Sequence, residues 1–242
     1  QLLTTHYYRA DQTRGSAELL LTPDPRLNNV IVRLHRASQQ SGIPWRMCET
    51  NSFSGGGLPG VSNSLIGALW TLDFMLLLAA HGCSGVNIET GFNQLGFVSS
   101  YSPIRNDSHG NASPGVPYYG MLAFAAARQG CTHMLPLDAG FTGVNASAWV
   151  LGQSRRPRSL VIVNRDRSHE ALVSTRKLRM ADASVLRLTA PSAASTSQTA
   201  FGGSPVGADG HWSASTSEKV RGGVLRVPPM SAAVACARQT PD

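Results

Sequence analysis

Strand-like and helix-like segments alternate through the first half of the chain, and this order constrains the fold more than any other feature of the sequence. The strand-like runs are residues 2–8, 43–49 and 85–89. Segments with helical spacing or helix-end signals occupy residues 25–41, 62–81 and 117–128. Strands that alternate with helices in this way are typical of a parallel α/β fold.

The pattern changes after about Gly130, where helical periodicity fades. Short β-prone runs separated by turn residues occupy 148–151, 159–164, 183–189, 224–227 and 232–235. Such runs predict an antiparallel β-sandwich. The predicted fold class is therefore α/β plus all-β, with an α/β domain over residues 1–129 and a β-sandwich domain over residues 130–242. Residues 190–210, rich in Ser, Thr, Gly and Ala, are predicted to form a surface loop.

Three strand–helix units are too few to close a (β/α)8 TIM barrel, which needs eight units and about 250 residues. Two interpretations remain open: a small open sheet, or a barrel whose other units belong to another chain. The sequence begins abruptly at Gln1 with a strand-like run, which favours the second interpretation. We therefore predict that residues 1–129 are the last strand–helix units of a TIM barrel.

Residues 65–80 form an almost wholly apolar run that approaches the length of a membrane-spanning helix. Asp73 lies in its middle, Gly67 interrupts it, and leucines recur at helical spacing. A charged residue at that position favours a helix buried in a layered core over a transmembrane helix. No membrane span is predicted.

Positive charge is concentrated in the second part of the chain. Residues 130–242 carry 13 Lys and Arg against 7 Asp and Glu, whereas residues 1–129 carry 8 against 7. A basic face attracts polyanions such as nucleic acid, anionic lipid or an acidic polysaccharide, or it is simply a solvated surface. No nucleic-acid-binding motif accompanies the charge, so no nucleic-acid partner is expected.

The four cysteines are widely spaced and include no Cys-x-x-Cys pair, which argues against a zinc site. A disulfide between Cys131 and Cys236 and free buried thiols both fit the sequence. The sequence also lacks the Gly-x-Ser-x-Gly turn of serine hydrolases and the His-Glu-x-x-His pair of zinc peptidases. We predict no metal and no cofactor.

Several polar side chains fall at the predicted strand ends, where catalytic groups of a barrel collect. His6 and Tyr8 end the first strand on one face, Glu49 ends the second, and Glu89 ends the third. Strand-end glutamates also serve as salt-bridge or loop anchors. Residues 49–57 read Glu-Thr-Asn-Ser-Phe-Ser-Gly-Gly-Gly, and glycines let backbone N–H groups approach an anion closely. A flexible loop ahead of a helix would have the same composition.

The stretch from residue 45 to residue 91 resembles glycoside hydrolase family 79, the family of heparanase and related β-glucuronidases. The matching segments are 45–52, 55–57, 60–62, 68–70 with Asp73, and 85–87. The resemblance extends to residues 6–8, 101–104 and 117–120, and more weakly to residues 232–236. It implies a (β/α)8 barrel with an attached β-sandwich and a retaining glycosidase mechanism.

The resemblance also implies roles for individual residues. Glu49 would be the catalytic nucleophile, and Tyr8 would donate a hydrogen bond to it. His6 would line the same pocket, and Tyr101 would contact the bound sugar. Gly55 and Gly56 would bind the uronate carboxylate through their backbone N–H groups. Some relatives have Tyr where this chain has Ser54.

The proton donor that such an enzyme needs is not found in this sequence. In the family it follows an Asn at an earlier strand end, and this chain contains no Asn-Glu dipeptide. Glu89 is predicted to be a loop anchor or rim residue. We therefore expect a second chain or fragment to supply the N-terminal half of the barrel and the acid/base Glu.

The expected substrate is an acidic polysaccharide of the heparan sulfate type, cleaved internally by an endo-β-glucuronidase. An exo-β-glucuronidase and a non-catalytic polyanion-binding module are the alternatives. Relatives are commonly secreted, lysosomal or periplasmic, so a secreted or periplasmic location is expected.

Overall fold

The computed structural model of the chain describes residues 1–90, 99–106, 109–137 and 140–237. Gly91, the last residue of the stretch that resembles family 79, lies outside them. The first elements are β1 (Leu3–Asp11), α1 (Ala17–Leu21), α2 (Pro25–Ser41), β2 (Trp45–Ser54), α3 (Leu65–Ala80), β3 (Cys83–Ile88), β4 (Ile104–Asn106), β5 (Ala112–Pro114) and α4 (Val116–Arg128). The remaining strands are β6 (His133–Leu135), β7 (Ala146–Gln153), β8 (Arg156–Asn164), β9 (Ala171–Ser174), β10 (Ser184–Thr189), β11 (Ala200–Phe201), β12 (Glu218–Lys219), β13 (Val224–Val227) and β14 (Ser231–Cys236).

The first three strands form a parallel sheet in the order β1-β2-β3. Within the described residues this sheet is open and does not close into a barrel. The register places His6 opposite Glu49 and Tyr8 opposite Asn51. A register shift after Thr5 precedes these pairs. The carboxyl ends of all three strands therefore lie at one edge, which is where ligands bind in parallel sheets.

Helix α2 has the predicted bounds because its ends carry strong local signals. The side chain of Asp24 accepts a hydrogen bond from the N–H of Arg26, and Pro25 occupies the first turn. Gly42 ends the helix with a left-handed φ of 69°.

Helix α3 is buried on nearly all sides because it separates two hydrophobic cores. One core joins a face of α3 to α1, α2 and the parallel sheet, through residues such as Trp70 and Phe74. The other joins the opposite face to α4 and to the β-rich part, through residues such as Leu69 and Leu76. The prediction of a buried helix in a layered core is confirmed. Among the described residues, no helix has the length and apolar character to cross a membrane.

The second part contains a seven-stranded antiparallel sheet in the order β11-β10-β14-β8-β7-β6, with β12 paired to β10. One face packs on α3 and α4 through Val161 and Val163, whereas Leu160 and Ile162 point to the other side. There they meet a separate pair formed by β9 and β13. Burial on both faces explains why residues 160–163 of β8 are continuously apolar instead of alternating.

Asp73 joins α3 to the seven-stranded sheet. Its carboxylate accepts hydrogen bonds from Ser147 Oγ, from Trp149 Nε1 at 2.8 Å and from Arg165 Nη1 at 2.5 Å. The exposed fractions of the Asp73 and Arg165 side chains are only 14% and 11%. A charge in this apolar helix is therefore explained by a buried ion pair.

Most of the 190–210 segment is an exposed loop, as predicted, but it also contains β11 and contacts the start of α3. The backbone oxygens of Ser195 and Ala193 accept hydrogen bonds from the N–H groups of Leu65 and Ile66, at 3.2 and 3.3 Å. These donors belong to the first turn of α3, which has no partners for them within the helix. The segment thus caps the start of α3.

Two strands run further than predicted. β1 continues three residues past Tyr8 to Asp11, and β2 continues five residues past Glu49 to Ser54. Glu49 is therefore in the middle of β2 and not at its end. The extension consists of small polar residues, such as Asn51 and Ser52, that are buried by pairing with β1. Helix α1, the β4–β5 hairpin and the shortest strands of the second part were not predicted.

Candidate active site

Glu49 lies where two side chains of β1 can reach its carboxylate. Tyr8 Oη donates a hydrogen bond to Glu49 Oε1 at 3.1 Å, and His6 Nδ1 lies 3.5 Å from Oε2. The His6 and Glu49 side chains are 61% and 42% exposed. The structure thus brings together three of the predicted site residues on the exposed face of the parallel sheet.

Tyr7, which lies between His6 and Tyr8 in the sequence, points into the core, as strand alternation requires. Its hydroxyl donates to Asp24 Oδ2 at 2.8 Å, and its ring stacks on Phe74 with 5.6 Å between centroids. Asp24 is also bound by Arg9 at 2.8 Å. This buried network fixes the backbone of β1, and so it fixes where His6 and Tyr8 project.

The phenol of Tyr8 is held in its neutral form. Burial raises the pKa of Tyr8 well above its usual range, and the nearby Tyr101, Glu49 and Glu89 raise it further. A phenol with a raised pKa stays protonated and acts as a hydrogen-bond donor. Tyr8 is therefore suited to orient the Glu49 carboxylate without neutralising it.

Tyr101 lies beside Tyr8, with 6.4 Å between the ring centroids. Its N–H donates to the oxygen of Gly56 at 3.4 Å, and its carbonyl accepts from Asn51 Nδ2 at 3.2 Å. Burial, followed by the charge of Glu89, raises the pKa of Tyr101. The structure thus places Tyr101 at the same site as Glu49.

Asn51 is a residue whose role the sequence did not reveal. It is 2% exposed, and its amide nitrogen also donates to the carbonyl of Glu89 at 2.7 Å. The Glu89 N–H in turn donates to Thr50 O at 2.9 Å. Asn51 therefore ties the segment after β3 to the strand that carries Glu49. The sequence offered one signal for this role: Asn51 follows Glu49 by two residues and therefore lies on the same face of the strand.

The glycine turn that follows β2 has a fixed conformation. Gly55, Gly56 and Gly57 have φ values of 78°, 97° and 83°, a region that favours glycine. A Cβ on Gly57 would lie 2.9 Å from both Ser62 Oγ and Tyr101 N, so the turn is closely packed. The glycine content therefore reflects a required backbone shape and not flexibility.

The two glycines predicted to bind a carboxylate differ in exposure. Gly55 is exposed and Gly56 is buried. Within the described part of the chain, the N–H of Gly56 donates to no acceptor. A buried N–H without a partner costs free energy, and an anionic ligand at this turn would remove that cost.

Two basic residues of the second part, Arg155 and Arg156, lie away from this site. Arg155 and Arg156 lie at the β7–β8 turn, next to β6 in the seven-stranded sheet. His133 of β6 lines a cleft together with Ala79, at the end of α3 remote from the glycine turn. That end is about 24 Å from the start of the helix, at 1.5 Å per residue.

Several other arginines lie within ion-pair distance of a carboxylate. The pairs are Arg165–Asp73, Arg167–Glu18, Arg187–Glu218 and Arg226–Glu170. These six basic residues therefore give no sign that the positive charge of the second part belongs to the candidate site. Among the described residues, no group of three or more His, Cys, Asp or Glu side chains could hold a metal ion.

No protein-family model matches the chain. The chain is 33% identical over 102 residues to a β-glucuronidase from Aspergillus niger, and 37% identical over 91 residues to a β-glucuronidase from Neurospora crassa. The aligned regions cover 42% and 38% of this chain. The chain spans only 18% and 16% of the length of these relatives.

The fold is similar to that of solved glycosidases. A 4-O-α-L-rhamnosyl-β-D-glucuronidase from Fusarium oxysporum superposes with a TM-score of 0.74 at 20% identity, over 96% of this chain and 52% of that one. This chain has a glycoside-hydrolase-like fold. A family 51 arabinofuranosidase from Xanthomonas axonopodis follows with a TM-score of 0.55 at 16% identity, over 98% of this chain and 52% of that one. The likeness to glycoside hydrolases therefore extends over both parts of the chain.

Proposed function

We propose that this chain carries the nucleophile of a retaining glycosidase that cleaves β-linked glucuronic acid. The observation that carries the proposal is the Glu49 carboxylate, bound by Tyr8 and flanked by His6 beside a glycine turn. The partial similarity to two fungal β-glucuronidases supports the sugar specificity.

The geometry suits the first step of a retaining mechanism. The Glu49 carboxylate attacks the anomeric carbon and forms a glycosyl–enzyme bond, while a second carboxyl group protonates the departing oxygen. Water then cleaves that bond, and the second group acts as the base. Tyr8 orients the attacking carboxylate, and Tyr101 borders the space above it.

The uronate carboxylate is proposed to bind at the glycine turn. Gly55 is exposed there, and the N–H of the neighbouring Gly56 donates to no acceptor among the described residues. Backbone N–H groups bind an anion without bringing a competing cation close to Glu49.

We further propose that residues 1–129 are the C-terminal part of a (β/α)8 barrel, and that residues 130–242 are a β-sandwich domain. Within the described residues, β1 and β3 each pair with a strand on one side only. Each sheet edge can therefore accept another strand. A second chain or fragment would supply those strands together with the acid/base Glu, and a secreted or periplasmic location is proposed for the assembled enzyme.

The narrower substrate proposal is an endo-acting enzyme for heparan sulfate-type polysaccharide. It rests on the family resemblance, because the basic residues Arg155 and Arg156 lie away from the glycine turn. An exo-acting enzyme would release single glucuronic acid units, so product size from a defined oligosaccharide separates the two modes.

A uronic-acid epoxide that alkylates the nucleophile of retaining glucuronidases tests the proposal. The chain, together with the segment that completes its barrel, is treated with the probe and mapped by peptide mass spectrometry. We expect an adduct on Glu49 that is absent in Glu49→Gln and retained in the matched variant Glu170→Gln. A folded sample without an adduct would favour a polyanion-binding module instead.

A further inference from the structure

The turn that follows β1 carries the side chain of Gln12. Asp11 begins the turn and accepts hydrogen bonds from Thr13 N at 2.9 Å and Thr13 Oγ1 at 2.7 Å. The carbonyl of Gln12 accepts from Gly15 N at 3.1 Å. Asp11 also accepts from Ser54 Oγ at 3.4 Å. These bonds fix the backbone of Gln12 and link it to the end of β2.

The Gln12 side chain lies against the glycine turn. A Cβ placed on Gly55 would meet Gln12 Nε2 at 3.0 Å, Cδ at 3.1 Å and Cγ at 3.2 Å. The amide is half-buried. It forms no hydrogen bond with any residue in the part of the chain that the structure describes. Its hydrogen-bonding capacity is therefore available beside Gly55.

We infer that Gln12 is a specificity-determining residue that donates a hydrogen bond from Nε2 to the carboxylate of the bound sugar. This inference rests on the proposed function, since it assigns a further contact in the same site. A side-chain amide and a backbone N–H together can bind both oxygens of one carboxylate. A neutral donor also leaves the charge of Glu49 unpaired, which a nucleophile requires.

The absence of a side chain on Gly55 is part of the arrangement. Any Cβ there would press on the Gln12 amide at 3.0–3.2 Å, closer than ordinary contact. Gly55 therefore both adopts its positive φ and leaves room for Gln12. The turn after β1 and the turn after β2 then form one binding surface for an anion.

The test compares Gln12→Glu with wild type in the assembled enzyme. The variant removes the donor and places a negative charge near the substrate carboxylate. We expect kcat/KM for 4-nitrophenyl β-glucuronide to fall roughly 10- to 100-fold relative to that for 4-nitrophenyl β-glucoside, mainly through KM. The inhibition constant of free glucuronate should rise by a similar factor. Gln12→Ala should give a smaller shift in the same direction.

Gln40→Glu is the matched control, because it makes the same charge change on the exposed surface of α2. Its glucuronide-to-glucoside ratio should equal that of wild type. A Gln12→Glu variant with an unchanged ratio and an unchanged glucuronate constant overturns the inference, while Glu49 labelling would still support the proposed function. A wild-type enzyme that neither binds glucuronate nor reacts with the epoxide overturns both.

Discussion

Replacing Asp73 by Ala should destabilise the protein by about 3 kcal/mol, the lower end of the usual loss for a buried ion pair, because both side chains keep a small exposed fraction. The magnitude follows from Arg165, whose side chain is 11% exposed and whose buried Nε has no hydrogen-bond partner among the described residues. Without the carboxylate, the guanidinium charge stays buried and uncompensated. Trp149 Nε1 also loses its acceptor, and this loss accounts for about 1 kcal/mol of that total.

Urea unfolding monitored by circular dichroism measures the change in the free energy of unfolding. Glu170→Ala is the control, because it breaks an exposed ion pair. The side chain of Glu170 is 38% exposed and that of its partner Arg226 is 65% exposed. A surface pair of this kind contributes about 0–1 kcal/mol. An Asp73→Ala variant that loses no more stability than Glu170→Ala would refute the argument that this ion pair joins α3 to the sheet.

Three further predictions concern the site and its support. Tyr8→Phe should lower kcat roughly 10- to 100-fold, because the Glu49 carboxylate loses its donor, and an unchanged kcat would contradict this role. Burial opposes ionisation of Asp24, but hydrogen bonds from Arg9 and Tyr7 lower its pKa from 3.8 to about 2. The contribution of Asp24 to stability should therefore be present above about pH 4 and fall by about 2 kcal/mol as the pH drops to 2, so the Asp24→Asn variant should lose less stability than wild type over this range. Gly57→Ala should reduce the melting temperature and the activity more than Gly60→Ala, because the new methyl group clashes only at the first position; equal effects would count against the packed turn.

Local signals made much of the fold predictable. The Asp24-Pro25 start and Gly42 end defined α2 to the residue, since each acts within a few residues of the helix terminus. Strand alternation placed His6 and Tyr8 on one face. The end of β2 was missed because Asn51 and Ser52 have low strand propensity and are held there by pairing with β1, a contact distant in sequence.

The residues of the site were predictable only where residues of suitable chemistry lie close together in the sequence. Glu49 could be selected because a glycine run follows it closely. Gln12 gave no such signal, since its importance depends on contact with Gly55, 43 residues further on. The 190–210 segment is similar: its composition indicates a loop, but the N–H groups that it caps belong to α3.

Helix α3 has a consequence for how the protein can be divided. Because its opposite faces belong to different cores, a fragment that ends near Gln129 would lose the part of the second core that the seven-stranded sheet contributes. Only α4 would then cover the face of α3 that carries Leu69, Leu72 and Leu76. Such a fragment should aggregate instead of folding, and the intact chain should unfold in a single transition. The region that carries Glu49 is therefore not a module that could be recombined with a different C-terminal partner while keeping its structure.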